Sequence, residues 1–517
     1  MNHSISNNVP EALQLLDHAD EIRRAVAPGT SPRHKAHLGQ FMTPSSVARF
    51  MARLFPASNL RQCSLLDAGA GVGALTCAFL DRWAAGGFPF ASVDATAYEI
   101  DPVIREHLED TLAQYATRLP LTAHVVAGDF IELVAMQGLP EIGRFTHAIL
   151  NPPYKKINSG SPHRLALRSV GIETVNLYSA FVALSLALMA PGGQVVAIIP
   201  RSFCNGPYYR PFRDFVLTRA AIRHLHLFES RNKAFKDDDV LQENVIILLE
   251  CGARQGSVVV STSTDDGFSD LASHEHAFDQ ILIPGDPERF IHIPTSAGPS
   301  ACDLSPAVGS TLDDLEIKVS TGPVVDFRLK EHLRAMPEAD TVPLLYPGHF
   351  TGSRTQWPQP GSKKPNAIVR NSETERWLYP NGFYCVVRRF SSKEERRRIV
   401  ASVIDPSDFK GADMLGLENH LNVFHHGRQG LPEPLARGLA LYLNTTAVDE
   451  HFRRFSGHTQ VNATDLKLMK YPSRAALEAL GRWACKRADA SQDEIDQQLE
   501  ELATWPPDRI SKKPTRS

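Results

Sequence analysis

The sequence predicts an α/β fold: a parallel sheet covered by helices on both faces, followed by a second region of mixed α+β character. Three observations carry this. Short apolar runs alternate with helical patterns from about residue 64 to 250, and such alternation builds parallel sheets with both faces covered. After Glu250 the composition turns rich in Ser, Thr, Asp, Gly and Pro. The chain, at 517 residues, is also too long for one ordinary domain.

In order, the apolar runs fall at 64–68, 95–100, 122–127, 147–150, 194–200, 224–228 and 244–250. Helical patterns occupy 73–83, 102–115, 177–189 and 209–219 between them. An earlier helix begins near Thr43 or Ser45 with Pro44 in its first turn, since Val47, Phe50, Met51 and Leu54 recur at spacings of three and four. The runs at 224–228 and 244–250 have no helix between them and read as an antiparallel pair at one sheet edge. The division expected is an arm over 1–30, a first domain over 31–255, a crossing segment over 256–310, a second domain over 311–475, and a C-terminal helix with a basic tail over 476–517. The crossing segment holds only short apolar runs, SVVVS and QILIP. In the second domain LLYPGHF and FYCVVRRF read as strands, and 392–404 and 432–446 as helices.

Hydrophobic residues make up 43% and charged residues 22%, ordinary for a soluble globular chain. Seven dispersed cysteines without a CxxC pair point to reduced thiols, a cytoplasmic location and no metal site. No signal peptide is apparent, and the apolar stretch 181–190 is too short to span a bilayer, so no membrane is expected. The net charge of −3 decides nothing about nucleic acid, which needs a basic face and not a basic total.

Asp67-Ala68-Gly69-Ala70-Gly71-Val72-Gly73-Ala74 is a glycine-rich turn between a strand and a helix, where backbone amides can approach a ligand. Gly69, Gly71 and Ala74 also fit the looser GxGxxA dinucleotide pattern, so an NAD(P) enzyme stays open at this point. The next strand ends in Tyr98-Glu99-Ile100-Asp101, and Glu99 can accept from two adjacent ribose hydroxyls. The third ends in Gly128-Asp129-Phe130. Asp129 can accept from an adenine amino group or, alternatively, cap the following helix.

The fourth strand runs into Asn151-Pro152-Pro153-Tyr154. DAGAGVG, YEID, GDF and NPPY, each at a strand end, resemble the class I S-adenosylmethionine-dependent methyltransferases that modify exocyclic amino groups. His37–Pro44, with Gln40, Thr43 and Pro44, resembles the cofactor-binding segment of the N6-adenine DNA methyltransferases of gamma motif order. Asn176-Leu177-Tyr178 and the Pro-Gly-Gly turn at 191–193 match the same family. The resemblance implies a Rossmann-like domain binding S-adenosyl-L-methionine through Gln40, Thr43, Pro44, Asp67, Gly69, Gly71, Glu99, Asp129, Phe130 and Asn151. The chemistry suits the turn, because the adenine N6 lone pair is delocalised into the ring. Two acceptors, the Asn151 side-chain oxygen and the Pro152 carbonyl, favour a pyramidal nitrogen, and the prolines hold that carbonyl rigid. The base must flip out of the duplex, at roughly a few kcal/mol. Tyr154 can stack on it, and the resemblance implies Phe235 as a second wall, with Phe228 as the competing aromatic.

In the second domain Arg388-Arg389, Arg396–Arg398 and Lys363-Lys364 could meet phosphates, and Gln460 and Asn462 could reach base edges. Residues 321–328, 418–423 and 456–462 resemble the PstI/BsuBI-type restriction–modification methyltransferases. That implies a target-recognition domain, a short palindromic site in double-stranded DNA (CTGCAG among those open), a cognate endonuclease acting independently, and a monomer. N4-cytosine methylation, protein-glutamine N5-methylation and a non-catalytic nucleic-acid-binding role remain as alternatives.

Overall fold

A computed structural model describes residues 16–17, 19–24, 42–140, 143–228, 243–294, 308–351, 354–391, 395–456, 460–487 and 490–503. Gln40 and Phe235 therefore lie outside the described residues. The chain divides into two compact units, Met1–Ala297 and Gly298–Ser517. Among the described residues no helix is long and apolar enough to cross a membrane.

The first unit is built on one nine-stranded sheet. Its strands are β1 (Gln62–Ala68), β2 (Ser92–Glu99), β3 (Leu121–Ala127), β4 (Phe145–Leu150), β5 (Met189–Pro200), β6 (Ala220–Phe228), β7 (Asn244–Cys251), β8 (Val258–Ser263) and β9 (Ala272–His276). The spatial order is β3-β2-β1-β4-β5-β7-β6-β8-β9. The first five strands are mutually parallel. Period-two alternation sends neighbours to opposite faces: Leu66, Ala148 and Leu150 join one apolar cluster, while Leu65 and Ile149 join the other. Both faces are thus buried under helices, as a parallel sheet requires.

The strand order reverses between β1 and β4. At such a switch point the connections leave to opposite sides and open a crevice at the strands' C-terminal ends. Ala68, Glu99, Ala127 and Leu150 are the last residues of β1 to β4, so the four sequence motifs converge on one edge.

The expected antiparallel pair forms, since β7 runs antiparallel to both β5 and β6. Its edge position is corrected. β8 pairs parallel with β6, and β9 closes the sheet antiparallel to β8. The run SVVVS, assigned to a crossing segment, supplies β8, and Val258 and Val260 are buried. The sequence of β9, ASHEH, is mostly exposed and polar with one acid and carries no apolar alternation, a composition that suits an edge strand.

The second unit contains an antiparallel four-stranded sheet of Lys318–Thr321, Leu421–His425, Tyr384–Arg388 and Ala401–Ile404, in that order. A five-stranded sheet and the helices Glu433–Leu443 and Arg474–Ala484 complete its main elements. The helix expected over 392–404 is corrected to an irregular stretch at 395–400 followed by a strand. Asp449 Oδ1 accepts the backbone N–H groups of both Arg398 and Ile399, at 2.7 and 2.9 Å. These bonds satisfy donors a helix would have used internally, and the β-branched residues 399, 400, 403 and 404 favour the sheet.

Gly73 sets the exit from the glycine turn. Its φ is +86°, and an added Cβ would lie 2.7 Å from Leu108 Cδ1. Gly73→Ala should cost about 1–2 kcal/mol for the left-handed backbone, with overpacking adding about 1–3 kcal/mol. The denaturation midpoint should fall in urea titration; an unchanged midpoint contradicts this account.

Candidate active site

The glycine turn is shaped by backbone hydrogen bonds before any ligand is considered. The N–H groups of Gly69 and Ala70 both donate to Tyr98 O, at 3.0 and 2.9 Å. Gly71 N donates to Glu99 Oε2 and Asp101 N to Glu99 Oε1, each at 2.8 Å. Glu99 therefore fixes β1's turn against β2's end. Burial raises its carboxyl pKa, opposed by those two amides. Gly69 and Gly71 have φ of +77° and +57°, and a Cβ on Gly71 would meet nothing within 4 Å. The turn is open on that side.

A cavity of about 490 Å³ lies over it, within the roughly 300–1,000 Å³ typical of ligand pockets. Gly69, Gly71, Glu99, Asp129, Phe130 and Asn151 all line it, as does Thr43. The four strand-end motifs thus meet in one space. A Cβ on Gly69 would lie 4.0 Å from Pro153 Cδ, which places the Asn-Pro-Pro turn against the glycine turn. Asn151 Nδ2 donates to Thr43 Oγ1 at 3.0 Å, and Tyr154 Oη donates to Asn151 Oδ1 at 3.1 Å. The Asn151 amide is held from both ends.

Comparison with known proteins gives the chain's family. A type II methyltransferase of Bacillus subtilis, M.BsuBI, is 52% identical over 95% of this chain and 98% of its own length. M.PstI of Providencia stuartii, also a type II methyltransferase, is 41% identical over 92% and 94%. This chain belongs to the type II methyltransferases. Residues 110–235 match the Eco57I restriction-modification methylase family. Among solved structures, the type IIL restriction-modification enzyme MmeI superposes with a TM-score of 0.50 at 10% identity, covering 99% of this chain and 77% of that one. That likeness concerns fold. The protein is accordingly a DNA methyltransferase of the restriction–modification kind, with a class I methyltransferase fold.

Several residues expected at the site of this methyltransferase do not line the cavity. Asp67 is buried beneath the turn, where its Oδ2 accepts from Thr76 Oγ1 at 2.6 Å, and it does not line the cavity. Asp67 supports the loop and does not face its ligand. Asp129 lines the cavity, and its Oδ1 caps the helix Phe130–Gln137 through the N–H groups of Ile131 and Glu132. Its Oδ2 meets His163 Nε2 at 2.9 Å. Burial pushes the Asp129 carboxyl upward, but His163 and the two amides bring it below the usual range, while the same contact raises His163. Pro44 and Pro152 do not line the cavity; Pro44 is the N-cap residue of the helix Ser45–Leu54.

Tyr154 is half-buried, packs on the core and does not line the cavity. Its hydroxyl also reaches Ile198 O at 3.2 Å. Phe228 is buried among His226 and Phe268, so the competing aromatic is a core residue. Sequence reasoning missed Ile100, Lys155, Lys156, His163, Leu177 and Phe181, all of which line the cavity. Ile100 carried a usable signal: an apolar residue directly after the strand-end acid, left 46% exposed.

In the second unit, Arg388 ion-pairs with Glu395. Arg389 donates to Asn419 O and to Gln460 Oε1, at 3.3 and 3.2 Å. Asn462 forms a capping box with Asp465 on the helix Ala463–Leu468. Arg398 is buried against Ser391 and Ser456, and Arg397 donates to Thr445 O. Neither is a free phosphate contact.

Burial raises the Asp67 pKa from 3.8 to about 7. Between those values the folded carboxyl keeps a proton that the unfolded chain has lost, so stability falls as pH rises through that window. Asp67→Asn, neutral and still able to accept from Thr76, should gain stability relative to the parent as pH rises from 4 to 7. Its advantage should then level off above 7. Thermal melts across that range check it; a constant difference removes the buried proton from the account.

Proposed function

We propose that this methyltransferase transfers a methyl group to the exocyclic N6 of a flipped adenine in duplex DNA. The cofactor is S-adenosyl-L-methionine, which when bound supplies an electrophilic methyl on a sulfonium. The observation that carries the reading is Asn151, hydrogen-bonded to Thr43 and Tyr154 and lining the same cavity as the glycine turn and Glu99.

The chain's own residues divide the work. Glu99, whose carboxylate can accept at about four lone-pair sites, receives the ribose hydroxyls. Gly71 leaves room for close backbone approach. Phe130 and Ile100 offer apolar contact to the adenine of the cofactor, and Asp129 accepts from its amino group. Thr43 borders the same site and orients the Asn151 amide, and Gln40 and Pro44 contribute to cofactor binding. Asn151 Oδ1 and the Pro152 carbonyl accept the two N6 hydrogens, which turns the nitrogen lone pair toward the methyl group. That is preorganised electrostatics with positioning, and no covalent intermediate is needed. Tyr154 stacks on the extrahelical base, worth about 1–3 kcal/mol against the unstacking cost. Phe235 supplies the opposite wall.

Arg388, Arg389 and Gln460 contribute to DNA contact in the second unit. The target is a short palindrome read by a cytoplasmic monomer, and a cognate endonuclease acts independently on the same site.

Incubation with methyl-labelled S-adenosylmethionine and duplex DNA, followed by nucleoside digestion, should place the label in N6-methyladenine. Label in N4-methylcytosine or in protein would overturn the substrate. Asn151→Ala should lower turnover by about 10²–10³-fold or more, the usual loss for one preorganised group, with cofactor affinity retained. Near-normal turnover by that variant would remove Asn151 from the chemistry.

A further inference from the structure

Three stretches far apart in sequence are stitched into one surface of the second unit. The strand Lys318–Thr321 pairs with Leu421–His425. Asn419 N donates to Val324 O at 2.9 Å, and Gly322 packs so closely on Glu418 O that an added Cβ would lie 2.2 Å away. Asn422 Nδ2 donates to Val461 O at 2.6 Å, tying residues 460–462 to the same strand. Arg389 bridges the set: its N–H donates to His420 O, and its carbonyl accepts from Val461 N.

At the centre of this surface His420 is clamped by Glu418. One carboxylate oxygen accepts from the His420 backbone N–H at 2.9 Å, and the other meets His420 Nδ1 at 2.5 Å. Glu418 has no exposed surface, whereas the His420 side chain is 40% exposed. The contact makes Nδ1 the donor to the carboxylate, which leaves Nε2 as the ring's second hydrogen-bonding atom in a fixed direction. The Phe390 ring lies 4.9 Å from the His420 ring and is itself 40% exposed; Phe327, next to Asp326, is 62% exposed.

The charges nearby favour a polyanionic partner. Glu418 is buried against His420, and Asp326 is paired with Lys364 at 2.7 Å. Arg328 makes no ion pair among the described residues, and its guanidinium lies 5.4 Å from the Phe327 ring centroid. The acids on this surface are therefore offset locally, while a cation and two aromatic rings remain presented to solvent.

We infer that His420, held by Glu418, hydrogen-bonds through Nε2 to a base edge of the target duplex, with the exposed Phe390 ring as its apolar neighbour. The inference rests on the reading that duplex DNA is the substrate. A base edge is favoured over a phosphate because the buried carboxylate fixes direction, which base readout requires and charge neutralisation does not. Exposed rings beside it suit base edges and thymine methyls better than phosphate oxygens.

The test uses the full chain, with the methylated site first mapped on the parent protein. His420→Ala and His420→Gln are compared with the parent for equilibrium binding to cognate and scrambled duplexes over a salt series. His420→Ala should weaken cognate binding about tenfold or more, leaving scrambled-duplex affinity and the salt slope unchanged. Glu418→Gln, which removes the charged clamp, should shift cognate binding in the same direction by less. Cooperative thermal melts, lowered at most modestly by the loss of the Glu418 partner, and parent S-adenosylmethionine affinity in the His420 variants separate readout from misfolding. Equal losses on both duplexes with the salt slope reduced by about one would mark a phosphate contact and overturn the inference, as would unchanged cognate binding. If the parent methylates no duplex, the substrate reading itself fails; an active parent with an indifferent His420→Ala removes this inference alone.

Discussion

The hydrogen bonds that fix the Asn151 amide are the interaction on which the rest of the first unit depends. Thr43, from the segment preceding the sheet, accepts from Nδ2; Tyr154, three residues on, donates to Oδ1. Together with the two prolines they hold one acceptor oxygen at a known place and angle. A reaction limited by a poorly nucleophilic amino group gains more from such placement than from any reactive side chain.

That placement means little without the opposite wall. The reversal of strand order between β1 and β4 opens the crevice, and Glu99 keeps it open by binding amides from both β1's turn and its own strand's exit. The buried Asp67–Thr76 bond then supports the turn from below. Glu99 and Asp129 each combine a structural partner with a place on the cavity wall. Asp129 makes the point most plainly: a helix cap, a partner of His163 and a cavity-lining carboxylate are one residue. Sequence reasoning poses those roles as alternatives, whereas a carboxylate has enough lone pairs to fill several at once.

What could be read from the sequence followed from how locally each signal is encoded. Gly69, Gly71, Glu99, Asp129 and Asn151 lie at ends of strongly apolar strands, so their meeting at one edge follows from parallel topology. β8 and β9 were hidden because the short run VVVSTS and the polar pentapeptide ASHEH sit in a stretch of loop-like composition until β6 is seen to need a partner. The run 395–404 misled because EERRR resembles a solvated helix face; only the distant Asp449 shows that its backbone is committed elsewhere. Asn462 and Asp465 carried a capping-box spacing in plain view, and it was passed over in favour of base contact. His163 could not be found, since its partner Asp129 is 34 residues away and only the tertiary fold joins them.

The central claim is that the turn after β4 delivers two oxygen acceptors to the reacting nitrogen. A crystal structure of the protein with a non-reactive S-adenosylmethionine analogue and its cognate duplex would test it most directly. The account predicts one extrahelical adenine, its N6 within hydrogen-bonding distance of both Asn151 Oδ1 and Pro152 O, and facing the analogue's transferable group. An adenine still stacked in the duplex, or one whose N6 meets other acceptors while Asn151 stays bound only to Thr43 and Tyr154, would contradict it.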